Sequence, residues 1–456
     1  MSPIGPNADL LSGALRDAPR RYRMPPLPAS AAEARRRGAA VTLAWSIESA
    51  RLALEQGSHP EPGLCGLFTS ALAELIRSAL RIEDGDPAFQ AQVLREQVAE
   101  VDLHVRLSAT AEQDRRNVRA LVDALAHPQK LRRMPGEPFR DTLSQLHALA
   151  AAGAWDALEH AAADLLRTAA GLSAPVRGTL QRLVRLASLQ RLRRGRLLAS
   201  LDSVKRYQAL VARRRPLAGG ALAFERGAAT EDNTLQAFRN IALRLNGCAA
   251  ASGRYRVVSH LLVPAAFAGP PARAKGEWDV ALLCRTPGAS ADALSLLAEA
   301  KASPDAATQD LPRLVRGLHR LSQAEAGIAH AFPAREGAVF VHGESLRRLR
   351  PDGHALPPQV VYCCDAPAER HPAVLGAASR AQLLTERHCL AFASRLAAGE
   401  APADHALRPV WERLLHADRL RPVLQQYATA CAARGAMLHP DDLLHAVDTA
   451  CSRTRA

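Results

Sequence analysis

The chain has 456 residues, of which 48% are hydrophobic and only 4% aromatic, with a net charge of +14. That length calls for two or three domains, and that composition for cores of Leu, Ala and Val carried mostly on helices. No apolar run reaches the roughly 18 residues a membrane-spanning helix needs, and the basic balance suits a polyanionic partner such as nucleic acid.

Proline at positions 3, 6, 19, 25 and 26 predicts a poorly ordered arm over residues 1–28. The opening lacks the order of a signal peptide, and the eight cysteines show no zinc-like spacing. Reduced, mostly buried thiols in a cytoplasmic protein are therefore expected, with the adjacent Cys363 and Cys364 on opposite faces of a strand. Apolar residues at three- and four-residue spacing predict helices over 31–56, 63–82, 87–126, 139–152, 155–170 and 176–212. No period-two alternation interrupts them, so residues 29–215 read as an all-helical basic domain.

Its last stretch carries twelve basic residues against one acid, Asp202. A buried stripe of Leu183, Leu186, Leu189, Leu197, Leu201 and Val204 would leave Arg182, Arg185, Arg193, Arg194 and Arg196 on other faces. These arginines are candidates for nucleic-acid phosphate contacts, or form a solvated basic face.

Beyond the arginines at 213–215 and PLAGG the pattern changes. The stretch TEDNTLQAFRNIALRLNG predicts a helix starting at Thr230 to Asn233 and stopping at Gly247. YRVVSHLLVP, EWDVALLC and LSLLAEAKA predict three strands, DLPRLVRGLHRLSQAEAG a helix, and GAVFVHG and QVVYCCDA two further strands. Residues 222–370 thus form a mixed-sheet domain in the order α-β-β-β-α-β with one additional strand, and residues 373–456 a helical C-terminal region. The expected class is α+β and multidomain.

Only four of the 59 basic residues are lysine: Lys130, Lys205, Lys275 and Lys301. Lys301 ends an apolar strand two residues after Glu299, so the two share a face. On the preceding strand Glu277 and Asp279 share one face, Trp278 and Val280 the other. If the strands are neighbours, Asp279, Glu299 and Lys301 converge at one end of the sheet. Two carboxylates aimed together make an oxygen site for Mg²⁺, and a lysine beside it can polarise water or offset charge on phosphorus.

Asp279 followed by Glu299-Ala300-Lys301 on the next strand resembles the PD-(D/E)XK, restriction-endonuclease-like nuclease superfamily, over roughly residues 222–370. The resemblance implies Asp279 and Glu299 as metal ligands, Ala300 as a carbonyl donor, Lys301 as the catalytic lysine, and Mg²⁺ or Mn²⁺ as cofactor. An acid on the preceding helix often completes such a site, which points to Glu231, with Glu277 able to replace or supplement it. His319 and Gln323 are possible substrate contacts. Trp278 departs from the family pattern, which places proline before the aspartate.

The implied function is metal-dependent hydrolysis of phosphodiester bonds of nucleic acid, DNA before RNA, with a homodimer suited to cutting both strands of a duplex. A catalytically inactive nuclease-fold protein that binds nucleic acid or acts as a scaffold is the alternative. A (β/α)₈ metabolic synthase fits less well, because the first 220 residues supply helices without strands.

Overall fold

The structure, a computed structural model, describes residues 6–133, 139–214, 219–248, 253–265, 267, 274–353 and 355–454. It divides into two compact units: residues 1–75, 216–386 and 403–456 form one, residues 76–215 and 387–402 the other.

The first unit is built on a five-stranded mixed sheet. Its strands are β1 (Arg254–Leu262), β2 (Glu277–Arg285), β3 (Ala293–Ala300), β6 (Val360–Cys363) and β7 (Met437–Leu438), in that spatial order. A separate antiparallel pair is made by β4 (Ala329–Phe332) and β5 (Val339–His342). Strands β1, β2 and β3 pair antiparallel, whereas β3–β6 and β6–β7 are parallel. A parallel neighbour needs a crossover, and the helix Pro304–Leu321 lies in the connection from β3 to β6. Ser303 caps that helix by accepting the Ala306 N–H, Pro304 opens it, and Ala307, Leu311, Leu314 and Leu318 are buried along one stripe.

Two hydrophobic cores sandwich the sheet. On one face Trp278, Leu297 and Tyr362 pack with Leu311, Leu314 and Leu318 of that crossover helix. On the other, Val280, Leu296, Ala298 and Val361 pack with Phe238, Ile241 and Leu245 of the helix Gly219–Asn246 and Leu443 and Val447 of the helix Pro440–Arg453. Cys363 and Cys364 fall in opposite cores, as their alternation on a strand requires. The eight cysteines form no disulfide.

Several boundaries differ from the sequence expectations. The arm expected over residues 1–28 contains a helix, Pro6–Asp17, whose Leu10, Leu11, Ala14 and Leu15 join the second core. Prolines at both ends of a short amphipathic helix had the look of a breaker-rich tail, but burial of one stripe outweighs that composition. Tyr22 is then buried, its hydroxyl proton shared between the carbonyls of Cys364 and Ala366 at 2.8 and 2.7 Å. Tyr22→Phe is expected to lower stability by about 1–2 kcal/mol, because two buried acceptors lose their donor; a urea melt indistinguishable from wild type would refute the anchoring role.

The helix expected to begin near Thr230 runs from Gly219 instead. Thr230 donates to the Arg226 carbonyl and to Asp365, so its hydroxyl does not act as a cap. Residues 373–456 do not form a separate helical region: residues 387–402 belong to the helical unit, and β7 adds an edge strand to the sheet.

In the second unit the single helix expected over 176–212 is three: Ala174–Val184, Ala187–Ala199 and Asp202–Arg214. The breaks rotate the stripe, so Leu183, Leu189 and Val204 are buried while Leu197 and Leu201 are exposed. Leu192 and Leu198 take up the buried positions. A core of helical residues including Val118, Val122, Leu146, Leu158 and Leu180 holds this unit together.

Candidate functional site

The β2–β3 register sets Val280 against Ala298, so the next pair outward is Asp279 and Glu299. At that end the Asp279 carboxylate accepts the Ala300 N–H through Oδ2 at 2.8 Å. Lys301 Nζ lies 2.6 Å from Glu299 Oε1, and its backbone N–H bonds the Cys363 carbonyl at 2.8 Å. Asp279, Glu299 and Lys301 therefore do converge, on the face covered by the crossover helix.

Four side chains unassigned from sequence complete the surroundings. Lys275, just before β2, pairs its ammonium with Glu299 Oε1 and lies 4.0 Å from Asp279 Oδ1. Asp310, on the crossover helix, lies 3.6 Å from Lys301 Nζ and accepts the Tyr362 hydroxyl at 3.4 Å. His260, on β1, faces Glu277 through Nδ1 at 2.7 Å and Glu231 through Nε2 at 3.1 Å. Lysine rarity was a signal for Lys275; nothing local marked Asp310, Tyr362 or His260.

Glu299 is 1% exposed, and its Oε2 is buried with no hydrogen-bond partner among the described residues. Burial pushes its carboxyl up to about 7, the nearby Asp279 charge adds to this, and Lys275 and Lys301 oppose it. Burial would lower the Lys301 ammonium, but Glu299 and Asp310 outweigh that and hold it above its ordinary value. Glu231 is raised by burial and by Asp279, with His260 opposing. A carboxyl poised near neutrality beside two ammonium groups is the kind of perturbed cluster found at functional sites.

The backbone is irregular at the same place. His260 has φ of 50°, in the left-handed region that a non-glycine residue seldom occupies. Val258 and Leu261 of β1 share one core, as do Trp278 and Ala281 of β2, although each pair is separated by three positions. Regular alternation would place the members on opposite faces. The local change of face at His260 and Asp279 separates Trp278 from Val280, which the sequence pattern placed together. Glu277 and Glu231 are thereby gathered on His260, and the metal-ligand roles expected of them compete with that hydrogen-bonded arrangement. A protonated imidazole can donate to both carboxylates at once; a neutral ring can donate to one.

His319 is exposed, and nine positions along the helix at 3.6 residues per turn put it about half a turn from Asp310. Gln323 is exposed beyond the helix end. Among the described residues, no hydrogen bond or ion pair joins either of them to the carboxylates. Of the candidate arginines, Arg193 is engaged by Asp156 at 2.7 Å and Glu159 at 3.4 Å, and Arg196 by the Gly153 carbonyl at 3.2 Å. Arg182 bonds Thr179 at 3.1 Å, while Arg185 and Arg194 are exposed. A cavity of about 640 Å³ elsewhere in the helical unit is lined by Arg77, Arg81, Arg206 and Arg213, with no acidic side chain among the described lining residues. None of the five arginines singled out from sequence lines it.

Hard carboxylate oxygens suit Mg²⁺ or Mn²⁺, and the buried, unpartnered Glu299 Oε2 is an acceptor that such an ion would satisfy. As arranged, however, no group of three His, Cys, Asp or Glu among the described residues is set to hold a metal. The Lys275 ammonium already lies against the two principal candidates. No helix among the described residues is long and apolar enough to cross a membrane. Comparison with family models, curated proteins and solved structures finds no match to this chain.

Proposed function

We propose that this chain is a nuclease-like phosphodiester hydrolase of the PD-(D/E)XK kind, acting on nucleic acid, DNA before RNA, in the cytoplasm. The observation that carries the reading is the convergence of Asp279, Glu299 and Lys301 at the ends of two adjacent strands. The order helix, three antiparallel strands, crossover helix and parallel strand supports it. The five-stranded open sheet offers no support for a (β/α)₈ synthase.

Asp279 and Glu299 would hold Mg²⁺ or Mn²⁺. When bound, such an ion supplies a lowered pKa for its water and charge neutralisation at phosphorus. Lys301, anchored through its backbone to β6, would orient that water or offset charge developing on the phosphate. The arginine-lined cavity and the basic excess of the first 220 residues are suited to phosphate contacts. A homodimer would place two such centres on a duplex.

The test is cleavage of end-labelled duplex DNA, single-stranded DNA and RNA by the full chain, with Mg²⁺ or Mn²⁺ and with a chelator. Metal-dependent products that disappear with the chelator are expected. Intact substrates under every metal condition would refute hydrolysis and leave the second reading, a nuclease-fold protein that binds nucleic acid without cutting it. The contact of Lys275 with the carboxylate pair favours that second reading.

A further inference from the structure

We propose that Lys275 is a built-in counter-ion of the Asp279–Glu299 pair, and that its ammonium and a divalent cation occupy these carboxylates alternatively. The inference rests on the reading of that pair as metal ligands.

The placement of Lys275 is specified by its surroundings. The residue is 6% exposed, and its backbone N–H donates to the Arg313 carbonyl of the crossover helix at 3.1 Å. Directly opposite, Gly317 leaves the space this segment needs: a Cβ there would stand 2.7 Å from Lys275 Cβ and 3.2 Å from its carbonyl oxygen. The glycine therefore admits the lysine backbone against the helix, and from that anchor the side chain reaches the carboxylates. An ammonium held this way is a structural element, not a surface lysine that happens to touch an acid.

Its position also accounts for the oxygens. Glu299 Oε1 is shared by Lys275 and Lys301, and Asp279 Oδ2 is taken by the Ala300 N–H. Asp279 Oδ1 faces Lys275 at 4.0 Å. One compact cation thus faces both acids and offsets one unit of their charge, while Glu299 Oε2 is left without a hydrogen-bond partner among the described residues. Three carboxylates, Asp279, Glu299 and Asp310, meet two ammonium groups here. A divalent ion added beside Lys275 would leave excess positive charge in a buried place, which is unfavourable at short range. Exchange relieves this: the lysine leaves and the ion takes both acids.

Manganese binding to the full chain, followed by the loss of the free Mn²⁺ electron paramagnetic resonance signal, tests the exchange. Lys275→Met keeps the length of the side chain and removes the charge. It is expected to bind Mn²⁺ at least tenfold more tightly than wild type, and Asp279→Asn in the same background is expected to cancel the gain. Equal or weaker binding by folded Lys275→Met overturns the proposal, as does absence of Mn²⁺ binding in both proteins. Should that variant not fold by circular dichroism, acetylation of the wild type decides. With only four lysines, Lys275 is read directly by peptide mass. Its labelling is expected to rise several-fold in saturating Mn²⁺, and unchanged protection overturns the exchange. Tighter metal binding by Lys275→Met without cleavage by either protein would leave this inference standing and remove the hydrolase reading. Metal-dependent cleavage with no gain in Lys275→Met would do the reverse.

Discussion

Glu299→Ala is expected to cost about 3–5 kcal/mol of folding stability, the range for breaking a buried ion pair from one side. Lys275 is 6% exposed and, among the described residues, would be left with the 4.0 Å contact to Asp279. Lys301 would keep Asp310 at 3.6 Å. Urea denaturation near pH 8, where Glu299 is mostly ionised, measures the loss; a change below about 1 kcal/mol would refute the buried-pair account. The double variant Lys275→Met with Glu299→Leu removes both desolvation costs and is expected to recover much of the stability, since apolar replacements of buried pairs are often neutral.

The same carboxyl predicts a pH signature. Burial raises Glu299 from the ordinary 4.5 to about 7, so between these values the folded chain keeps a proton that the unfolded chain gives up. The stabilisation that comes from keeping this proton is therefore full below about pH 4.5 and is lost as the pH rises through about 7, above which the ion pairing with Lys275 and Lys301 is what remains. Glu299→Gln removes that slope, and the wild-type minus variant difference in urea midpoint isolates it from other carboxylates. A difference flat across the window would rule out the raised value.

Under the hydrolase reading, Asp279→Ala is expected to lower the initial rate of metal-dependent cleavage by about 10²–10³-fold, the loss typical for removing one electrostatic element of such a centre. Asp279 Oδ2 is occupied by the Ala300 N–H, which fixes the carboxylate and leaves Oδ1 as the atom that would meet an ion. Asp279→Asn separates geometry from charge, because an amide oxygen can still accept the Ala300 N–H. It is expected to lose nearly as much activity, since the charge is what holds the ion. Cleavage by either variant within threefold of wild type would exclude Asp279 from the chemistry. The stability cost is expected to be small beside that of Glu299→Ala, because the Asp279 side chain is 19% exposed and can rehydrate.

The triplet Glu299-Ala300-Lys301 was legible because strand periodicity is local: residues two apart share a face whatever they pack against. The same rule failed at Trp278 and Val280, where the positive φ of His260 on the neighbouring strand accompanies a change of face. That event is written into the pairing of two strands, and no window along β2 alone contains it. The arginine-rich stretch failed differently. Its helical character was right, but breaks after Val184 and Ala199 reset the stripe, exposing Leu197 and burying Leu192 and Leu198. The first break, at Arg185 and Leu186, contains no turn residue, so the packing of short helices, not local propensity, decides it.

Composition and periodicity were sufficient for a helix-rich α+β chain, for the strands at 254–262, 277–285, 293–300 and 360–363, and for the convergence of Asp279, Glu299 and Lys301. Each depends on spacings of a few residues. Tertiary structure alone decided that Lys275 bridges the acids, that Asp310 and Tyr362 close around Lys301, and that His260 collects Glu231 and Glu277. These partners approach from different strands and helices. Around Glu299, Lys275 and Tyr362 burial removes water, so that charges and hydrogen-bonding groups must satisfy one another, whereas His260, Glu231 and Glu277 are brought together while still partly exposed.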